Sequence, residues 1–288
     1  MSYQIIINSS SDLPEQVVKE FDFKVMPLTF NLEDKSYLND PGYQSMPVKT
    51  FYQHLKDGKV ATTSQLNTED YIKEIEAQFK EGKDVLILSF SSGLSGSYNA
   101  ARLALEHFKD SERKVYLVDT LAASLGEGLI CYLAGLKQRE KKTIEEVRDY
   151  VEELKLHVAH WFTVDDLMFL KRGGRLSGAS AIIGSLLKIK PILHVDNEGK
   201  LIPRLKTIGR KKALNTLVKK LTETIDTSLS KLVFISHGDD LESANYVKER
   251  VLALNLSLEV KLVNYIGPVI GAHSGPGTIA LFFTAKER

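Results

Sequence analysis

The amino-acid sequence predicts an α/β protein with a mostly parallel sheet flanked by helices. Short β-branched runs alternate with amphipathic helical stretches, and polar turns separate the two. The composition, with 43% hydrophobic and 26% charged residues among 288, is that of a globular chain with a sizeable core. At roughly 150 residues per domain the length fits two α/β domains. We expect the first to cover residues 1–160 and the second residues 161–288.

The first half follows the order of elements that is typical of parallel sheets. An apolar run at 4–8 ends in a polar turn, Ser9-Ser10-Ser11-Asp12, which resembles a helix cap, and Pro14 suits the first turn of the next helix. Parallel strands need long crossover connections, so this alternation predicts a parallel sheet. Further strands are expected at 24–30, 84–88 and 114–118, and helices at 14–21, 47–56, 67–80, 95–109, 126–139 and 143–156.

The second half changes character after residue 160. Two short apolar runs, 192–195 and 201–204, flank Asp196-Asn197-Glu198-Gly199, which is a hairpin signature. A strand-helix-strand pattern follows at 231–236, 241–252 and 258–263. The other expected elements are strands at 161–164 and 278–284, helices at 165–171, 179–187 and 210–224, and a loop at 172–175.

Charge and cysteine content exclude several classes of function. The net charge of +1 gives no global field for nucleic acid or an anionic membrane. The N-terminus lacks a signal-peptide pattern and no window approaches the ~20 apolar residues of a membrane span, so we expect a cytoplasmic protein. Cys131 is the single cysteine, among apolar neighbours, and predicts a buried, inert thiol. His157 and His160 have no matching ligand cluster, so we expect neither metal nor cofactor.

A serine- and glycine-rich loop, Ser91-Ser92-Gly93-Leu94-Ser95-Gly96-Ser97, lies between a predicted strand and a predicted helix. Ligands collect at such strand ends, and hydroxyls beside a helix start favour an anion. A tight packing turn is the alternative. The loop also resembles a hydrolase elbow without its final glycine. With Asp239 and His273 later in the chain, a small α/β hydrolase or phosphotransferase using Ser95 and His273 remains a second hypothesis.

Three further segments are candidates for binding. Thr62-Thr63-Ser64-Gln65 precedes a predicted helix, so its hydroxyls either cap that helix or bind a ligand. Arg172-Gly173-Gly174-Arg175 either binds a phosphate or a partner's carboxylate, or is a helix-ending turn with solvated arginines. Residues 266–277 are dense in glycine and proline, which predicts a shaped loop that contains His273.

Six motifs appear together and in order along nearly the whole chain. They are Ser9-Ser10-Ser11-Asp12, Thr63-Ser64-Gln65, Ser92-Gly93-Leu94-Ser95-Gly96-Ser97-Tyr98, Leu170-Lys171-Arg172-Gly173-Gly174-Arg175, Lys188-Ile189-Lys190-Pro191-Ile192-Leu193 and Gly271-Ala272-His273-Ser274-Gly275-Pro276-Gly277. Together they resemble the DegV family, fatty-acid-binding proteins that include the lipid-binding subunits of bacterial fatty-acid kinase. Leu66, where the family often has proline, and Ser97, where it usually has threonine, are mild departures.

The resemblance implies a carrier that binds one long-chain, palmitate-like fatty acid and does no covalent chemistry on its own. The acyl chain would lie in a tunnel between the two domains, with lining candidates at 182–187 and 266–270. The implied partner is the catalytic subunit of a fatty-acid kinase, and transient membrane contact fits this role. The residues implied are Thr63 and Ser95 for the carboxylate, with Ser92, Gly96 and His273 beside it, and Arg204 and Arg172 for docking of the partner.

Overall fold

The computed structural model describes residues 2–176 and 189–288. The strands there are β1 (Tyr3–Asn8), β2 (Lys24–Met26), β3 (Thr29–Leu32), β4 (Lys35–Leu38), β5 (Ala61–Ser64), β6 (Asp84–Ser89), β7 (Val115–Asp119), β8 (Val158–Thr163), β9 (Ile189–Val195), β10 (Leu201–Ile208), β11 (Leu232–His237), β12 (Glu259–Tyr265) and β13 (Ile279–Thr284). The helices are α1 (Glu15–Glu20), α2 (Val48–Lys56), α3 (Thr68–Lys80), α4 (Ser97–Leu105), α5 (Leu125–Arg139), α6 (Ile144–Leu154), α7 (Met168–Arg172), α8 (Arg210–Thr224), α9 (Leu241–Leu252) and α10 (Pro268–Ser274).

The first sheet is parallel throughout, as the sequence predicted, with strand order β2-β1-β6-β7. Helices cover both of its faces, so its strands are buried on both sides. Ile5 and Ile7 pack with residues of α5, whereas Ile6 packs with residues of α3 and α4 on the opposite face. The alternation follows from the two-residue period of a strand.

The second sheet is mixed, with strand order β10-β9-β8-β13-β11-β12. β8 and β13 run antiparallel to each other, and β11 runs parallel to β12. Residues of α8 and α9 pack on one face of this sheet. The expected domain boundary near residue 160 falls inside β8, whose partners all belong to this sheet, and the division into two domains stays a prediction.

Helix α5 lies between the two sheets. It contacts β8, β11 and β13 of the second sheet, and its residues join the core of the first. Every residue from 125 to 135 is buried. Apart from Glu127, whose carboxyl accepts the Ser10 hydroxyl at 2.8 Å, these residues are glycine or largely apolar, which suits a protein interior. None of the helices in the described ranges is long and apolar enough to cross a membrane.

Three expectations need correction. The single strand expected at 24–30 is two strands, β2 and β3, which belong to different sheets. The segment Thr62-Thr63-Ser64-Gln65 caps no helix, because most of it is strand β5 in a small antiparallel sheet of order β4-β3-β5. Asn67 caps α3 instead, through a capping box with Asp70. The shaped loop expected at 266–277 contains α10, which begins with a proline. The helix expected at 179–187 lies outside the described residues.

Candidate functional site

A cavity of about 370 Å³ is lined by residues of both halves of the chain. Most of its wall is apolar, and Ile266, Val269 and Ile270 from the expected lining segment contribute to it. The other expected lining segment, 182–187, lies outside the part of the chain that the structure describes. The remaining apolar lining residues are Leu28, Phe90, Leu94, Ala123, Phe162, Leu170, Val195, Leu201, Ala280 and Phe282.

Three of the predicted site residues, Thr63, Ser95 and His273, line this cavity. Thr63 lies on β5 and His273 lies in the last turn of α10, a helix that packs against β5. The Thr63 Oγ1 atom is 2.8 Å from the His273 Nε2 atom, which is a hydrogen bond. The packing of a short helix on a short strand therefore joins two distant positions of the sequence.

Ser95 reaches the cavity from the loop before α4. Its Oγ accepts the Ser97 N–H at 3.2 Å and is 3.1 Å from the Ser97 Oγ. The Ser97 hydroxyl in turn accepts the Leu66 N–H at 3.3 Å. The serine-rich loop is thus tied to the segment that leaves β5, which brings Ser95 and Thr63 to the same cavity.

Gly96 and Ser92 have different places from those implied by the resemblance. A Cβ atom on Gly96 would lie 2.1 Å from the Gln65 Oε1 atom, so this glycine leaves room for the Gln65 side chain. Ser92 is exposed, and its N–H donates to the Asp119 carboxylate at 3.1 Å. Neither residue is among the described residues that line the cavity.

Burial determines the charge of His273. It lowers the pKa of the imidazole to about 4, and the nearby Arg175 guanidinium acts in the same direction. The ring is therefore neutral at pH 7 and carries one proton. The Nδ1 atom is buried without a hydrogen-bond partner among the described residues. A buried N–H without a partner is rarer than a buried acceptor without one, which favours the proton on Nε2, where it can donate to Thr63.

Two arginines lie beside this pair. The Arg175 guanidinium lines the cavity and its Nε donates to the Leu94 carbonyl at 3.1 Å. Arg172 is exposed, with its guanidinium 4.8 Å from the centre of the Phe169 ring. Both arginines, with Thr63 and His273, also line a smaller cavity of about 170 Å³. The predicted arginine motif therefore lies at the smaller cavity, which shares Thr63 and His273 with the larger one.

Arg204 is separate from these cavities. It is exposed on β10, at the edge of the second sheet, where the register shifts between Pro203 and Leu205. Such a bulge redirects a side chain away from the regular ladder. Arg204 is thus available on the surface.

The groups needed for the hydrolase hypothesis are not joined in this structure. The His273 Nε2 atom is hydrogen-bonded to the Thr63 hydroxyl, and the Ser95 hydroxyl is hydrogen-bonded to the Ser97 hydroxyl. Asp239 forms an ion pair with Lys56.

The Cys131 thiol is buried, and burial raises its pKa well above the ordinary range. Within residues 2–176 and 189–288, no cluster of His, Cys, Asp and Glu could hold a metal ion.

Sequence analysis missed several polar residues of the cavity wall. Ser124 and Ser236 are 3.1 Å apart between their Oγ atoms and both line the cavity. Ser236 lies near the carboxyl end of β11, and Ser124 follows β7 closely. Their place at strand ends is the signal that could have identified them.

A family model described as an uncharacterised protein of the DegV family matches residues 2–286. A DegV domain-containing protein of Clostridium perfringens is 40% identical over 99% of this chain and 98% of its own length. A protein of Thermotoga maritima named as a fatty acid-binding protein is 35% identical, over 100% of this chain and 99% of its own. The similarity therefore extends over the whole length of these relatives.

Solved structures share the fold. A structure described as fatty acid binding of a DegV family protein from Thermus thermophilus has a TM-score of 0.88 and 32% identity, over 99% of this chain and 100% of that one. DegV from Bacillus subtilis, described as a fatty acid binding protein, has a TM-score of 0.84 and 29% identity, over 99% of this chain and 100% of that one. The fold of this chain is thus shared with proteins that are described as fatty-acid binders.

Proposed function

This chain belongs to the DegV family, and from that premise we propose that it binds one long-chain, palmitate-like fatty acid in the cavity between its two sheets. One observation carries the proposal. Thr63 and Ser95 line a cavity whose wall is mostly apolar and whose other hydroxyl residues are Ser64, Ser124, Ser236, Ser274 and Thr278. A ligand with one acidic end and a long hydrocarbon tail matches that distribution of chemistry.

The tail supplies most of the affinity. Each buried methylene contributes about 0.8 kcal/mol, so about fourteen of them offer on the order of 10 kcal/mol before entropic costs are subtracted. The rings of Phe90, Phe162 and Phe282 are among the walls available to the tail. We propose that residues 1–160 carry the loops that bind the carboxylate and that residues 161–288 cover the acyl chain. His273 is the contribution of the second half to the head-group site.

The carboxylate needs several donors, because a buried anion without partners is heavily penalised. When the His273 Nε2–H donates to the Thr63 oxygen, the Thr63 O–H is free to donate to the ligand. The Ser95 O–H supplies a second donor. The Arg175 guanidinium, held by the Leu94 carbonyl, adds positive charge at the same end of the cavity.

The proposal extends to delivery of the bound acid. We infer that the chain does no covalent chemistry and presents the carboxylate to the catalytic subunit of a fatty-acid kinase, with transient membrane contact during loading. Arg172, exposed beside the smaller cavity, and Arg204, exposed on the bulge of β10, are the docking residues in this scheme. The resemblance implied ligand contacts for Ser92 and Gly96; neither is among the described residues that line the cavity, so we assign them none.

Mass spectrometry of an organic extract of the purified protein tests the binding proposal. We expect one long-chain fatty acid per chain in the wild type and little in the double variant Thr63→Ala, Ser95→Ala. An extract without fatty acid, together with no binding of added palmitate, would refute it. Delivery is tested separately by mixing the loaded protein with a cognate kinase subunit and ATP, where no acyl phosphate would argue against presentation.

A further inference from the structure

Asp12 joins the two halves of the chain through a single buried carboxyl group. Its side chain is 4% exposed. The Oδ2 atom accepts the Ser124 hydroxyl at 2.6 Å, and the Oδ1 atom accepts the Gly267 N–H at 3.0 Å. The Asp12 main-chain carbonyl also accepts the Asn264 amide at 2.8 Å. One residue thus connects the start of α5 with the start of α10.

The contact with α10 is close. A Cβ atom on Gly267 would lie 2.6 Å from the Asp12 Oδ1 atom and 3.0 Å from the Asn39 Oδ1 atom. Real Cβ atoms essentially never approach that closely, so a side chain at this position would displace the Asp12 carboxyl group. The Tyr52 hydroxyl donates to the neighbouring Ile266 carbonyl at 2.9 Å. The turn before α10 is therefore held from two sides.

The position of this turn fixes the position of His273. Helix α10 is seven residues long, from Pro268 to Ser274, and Gly267 is its N-cap. At about 1.5 Å per residue, His273 lies only ~9 Å along the helix from the Asp12 contact. A helix this short moves as a rigid piece, so a shift at Gly267 is carried to the imidazole.

We propose that Asp12 is a positioning residue of the head-group site, holding the N-cap of α10 so that His273 meets Thr63 at hydrogen-bonding distance. The inference rests on the proposed function, because it assigns Asp12 a role in binding a carboxylate. The Thr63–His273 hydrogen bond joins two protein groups, so its geometry can be measured without any ligand. Asp12 touches no ligand in this scheme and acts through the helix.

Three variants separate positioning from general stability. Asp12→Ala removes both acceptors, whereas Asp12→Asn keeps an oxygen for the Gly267 N–H and places an amide against the Ser124 oxygen. Asp226→Ala is the matched control. The Asp226 carboxylate also accepts one backbone N–H and one hydroxyl, both from Ser228, but on a partly exposed turn away from the cavity.

Binding of palmitate and of hexadecan-1-ol is compared, because the two share a tail and differ in the carboxylate. We expect Asp12→Ala to weaken palmitate binding at least tenfold and hexadecan-1-ol binding less than threefold. We expect Asp12→Asn to bind palmitate within about threefold of the wild type. Asp226→Ala should change the affinity for neither ligand. Equal losses for both ligands, or no loss for palmitate, would overturn the positioning role.

A second measurement uses the ligand-free protein. The imidazole ¹H–¹⁵N signals of His273, assigned with His273→Gln, should shift in Asp12→Ala and stay near their wild-type values in Asp12→Asn. Unchanged signals in Asp12→Ala would overturn the inference whatever the ligand is. If wild-type protein binds palmitate no more tightly than hexadecan-1-ol, the proposed head-group function fails, while the signals still report on Asp12. Should Asp12→Ala not fold, Gly267→Ala carries the same test, because its Cβ would displace the Asp12 side chain from the start of α10, and unchanged palmitate binding would then overturn the inference.

Discussion

The Thr63 Oγ1 atom and the His273 Nε2 atom lie 2.8 Å apart, although 210 positions separate them in the chain. When the imidazole donates, the threonine O–H is free to donate to another group, and both residues line the larger cavity. The donor group proposed for the carboxylate therefore depends on contributions from both halves of the protein.

Replacing Thr63 by valine should weaken palmitate binding about 10–100-fold, because a hydrogen bond to a charged group is worth about 1.5–3 kcal/mol. Valine keeps the shape and suits a strand, so β5 should persist. Thr63→Ser, which keeps the hydroxyl, is the control and should bind within a few fold of the wild type. Isothermal titration measures both, and equal affinities for Thr63→Val and wild type would remove Thr63 from the head-group site.

Ser95→Ala and Ser92→Ala are a matched pair on one loop. Ser95 lines the cavity, whereas Ser92 is exposed and bonds to Asp119 through its main chain. We expect Ser95→Ala to weaken palmitate binding by about tenfold or more and Ser92→Ala to leave it unchanged. Displacement of a fluorescent fatty acid gives both affinities. A larger loss for Ser92→Ala would reverse the assignment of the two hydroxyls.

His273 should make stability rise with pH in the acidic range. Its folded-state pKa is about 4, below the ordinary value of 6.5, so the unfolded chain binds more protons between these values. The stability of the wild type relative to His273→Gln should therefore increase from about pH 4 to 6.5, by up to about 1.4 kcal/mol per pH unit, and then level off. Urea unfolding of both proteins at several pH values measures the difference between their free energies of unfolding. The contributions of other titrating groups cancel in this difference. A difference that does not change with pH would contradict the prediction.

Asp12 should give the stability of the protein the opposite dependence on pH. Burial raises the pKa of its carboxyl from 3.8 to about 7, against the opposing effect of hydrogen bonds from Ser124 and Gly267. The folded protein then holds the extra proton between these values, so the stability of the wild type relative to Asp12→Asn should fall as pH rises from about 4 to 7 and level off above it. The same unfolding series tests this, and a difference that stays flat between pH 4 and 7 would show that the carboxyl is already ionised in the folded protein.

Gly267→Ala should lower the free energy of unfolding by about 1–3 kcal/mol, since the new Cβ would meet the Asp12 Oδ1 atom at 2.6 Å. Gly42→Ala is the control, because the nearest atom to its Cβ would be 3.4 Å away. We expect the control to stay within about 0.5 kcal/mol of the wild type. Thermal and urea unfolding compare the two, and equal stabilities would mean that the turn before α10 yields easily.

The sequence alone was sufficient for the parallel sheet, because long apolar strands such as β6 alternate with helices whose caps are evident. It was insufficient for β5, whose residues from Ala61 to Ser64 show no apolar alternation and become a strand only by pairing with β3. Helix α10 was missed because glycine and proline in seven residues resemble a loop. The meeting of Thr63 and His273 depends on the packing of these two elements, so only the family resemblance could suggest it.

Helix α5 has a consequence for how the protein folds. Its buried residues belong to one continuous apolar cluster that reaches from Ile5 in the first sheet to Phe282 in the second. A fragment ending near residue 160 would leave one side of that helix in water, and a fragment beginning there would lack its cover. We therefore expect the two halves to unfold together, and we expect neither to fold when it is expressed alone.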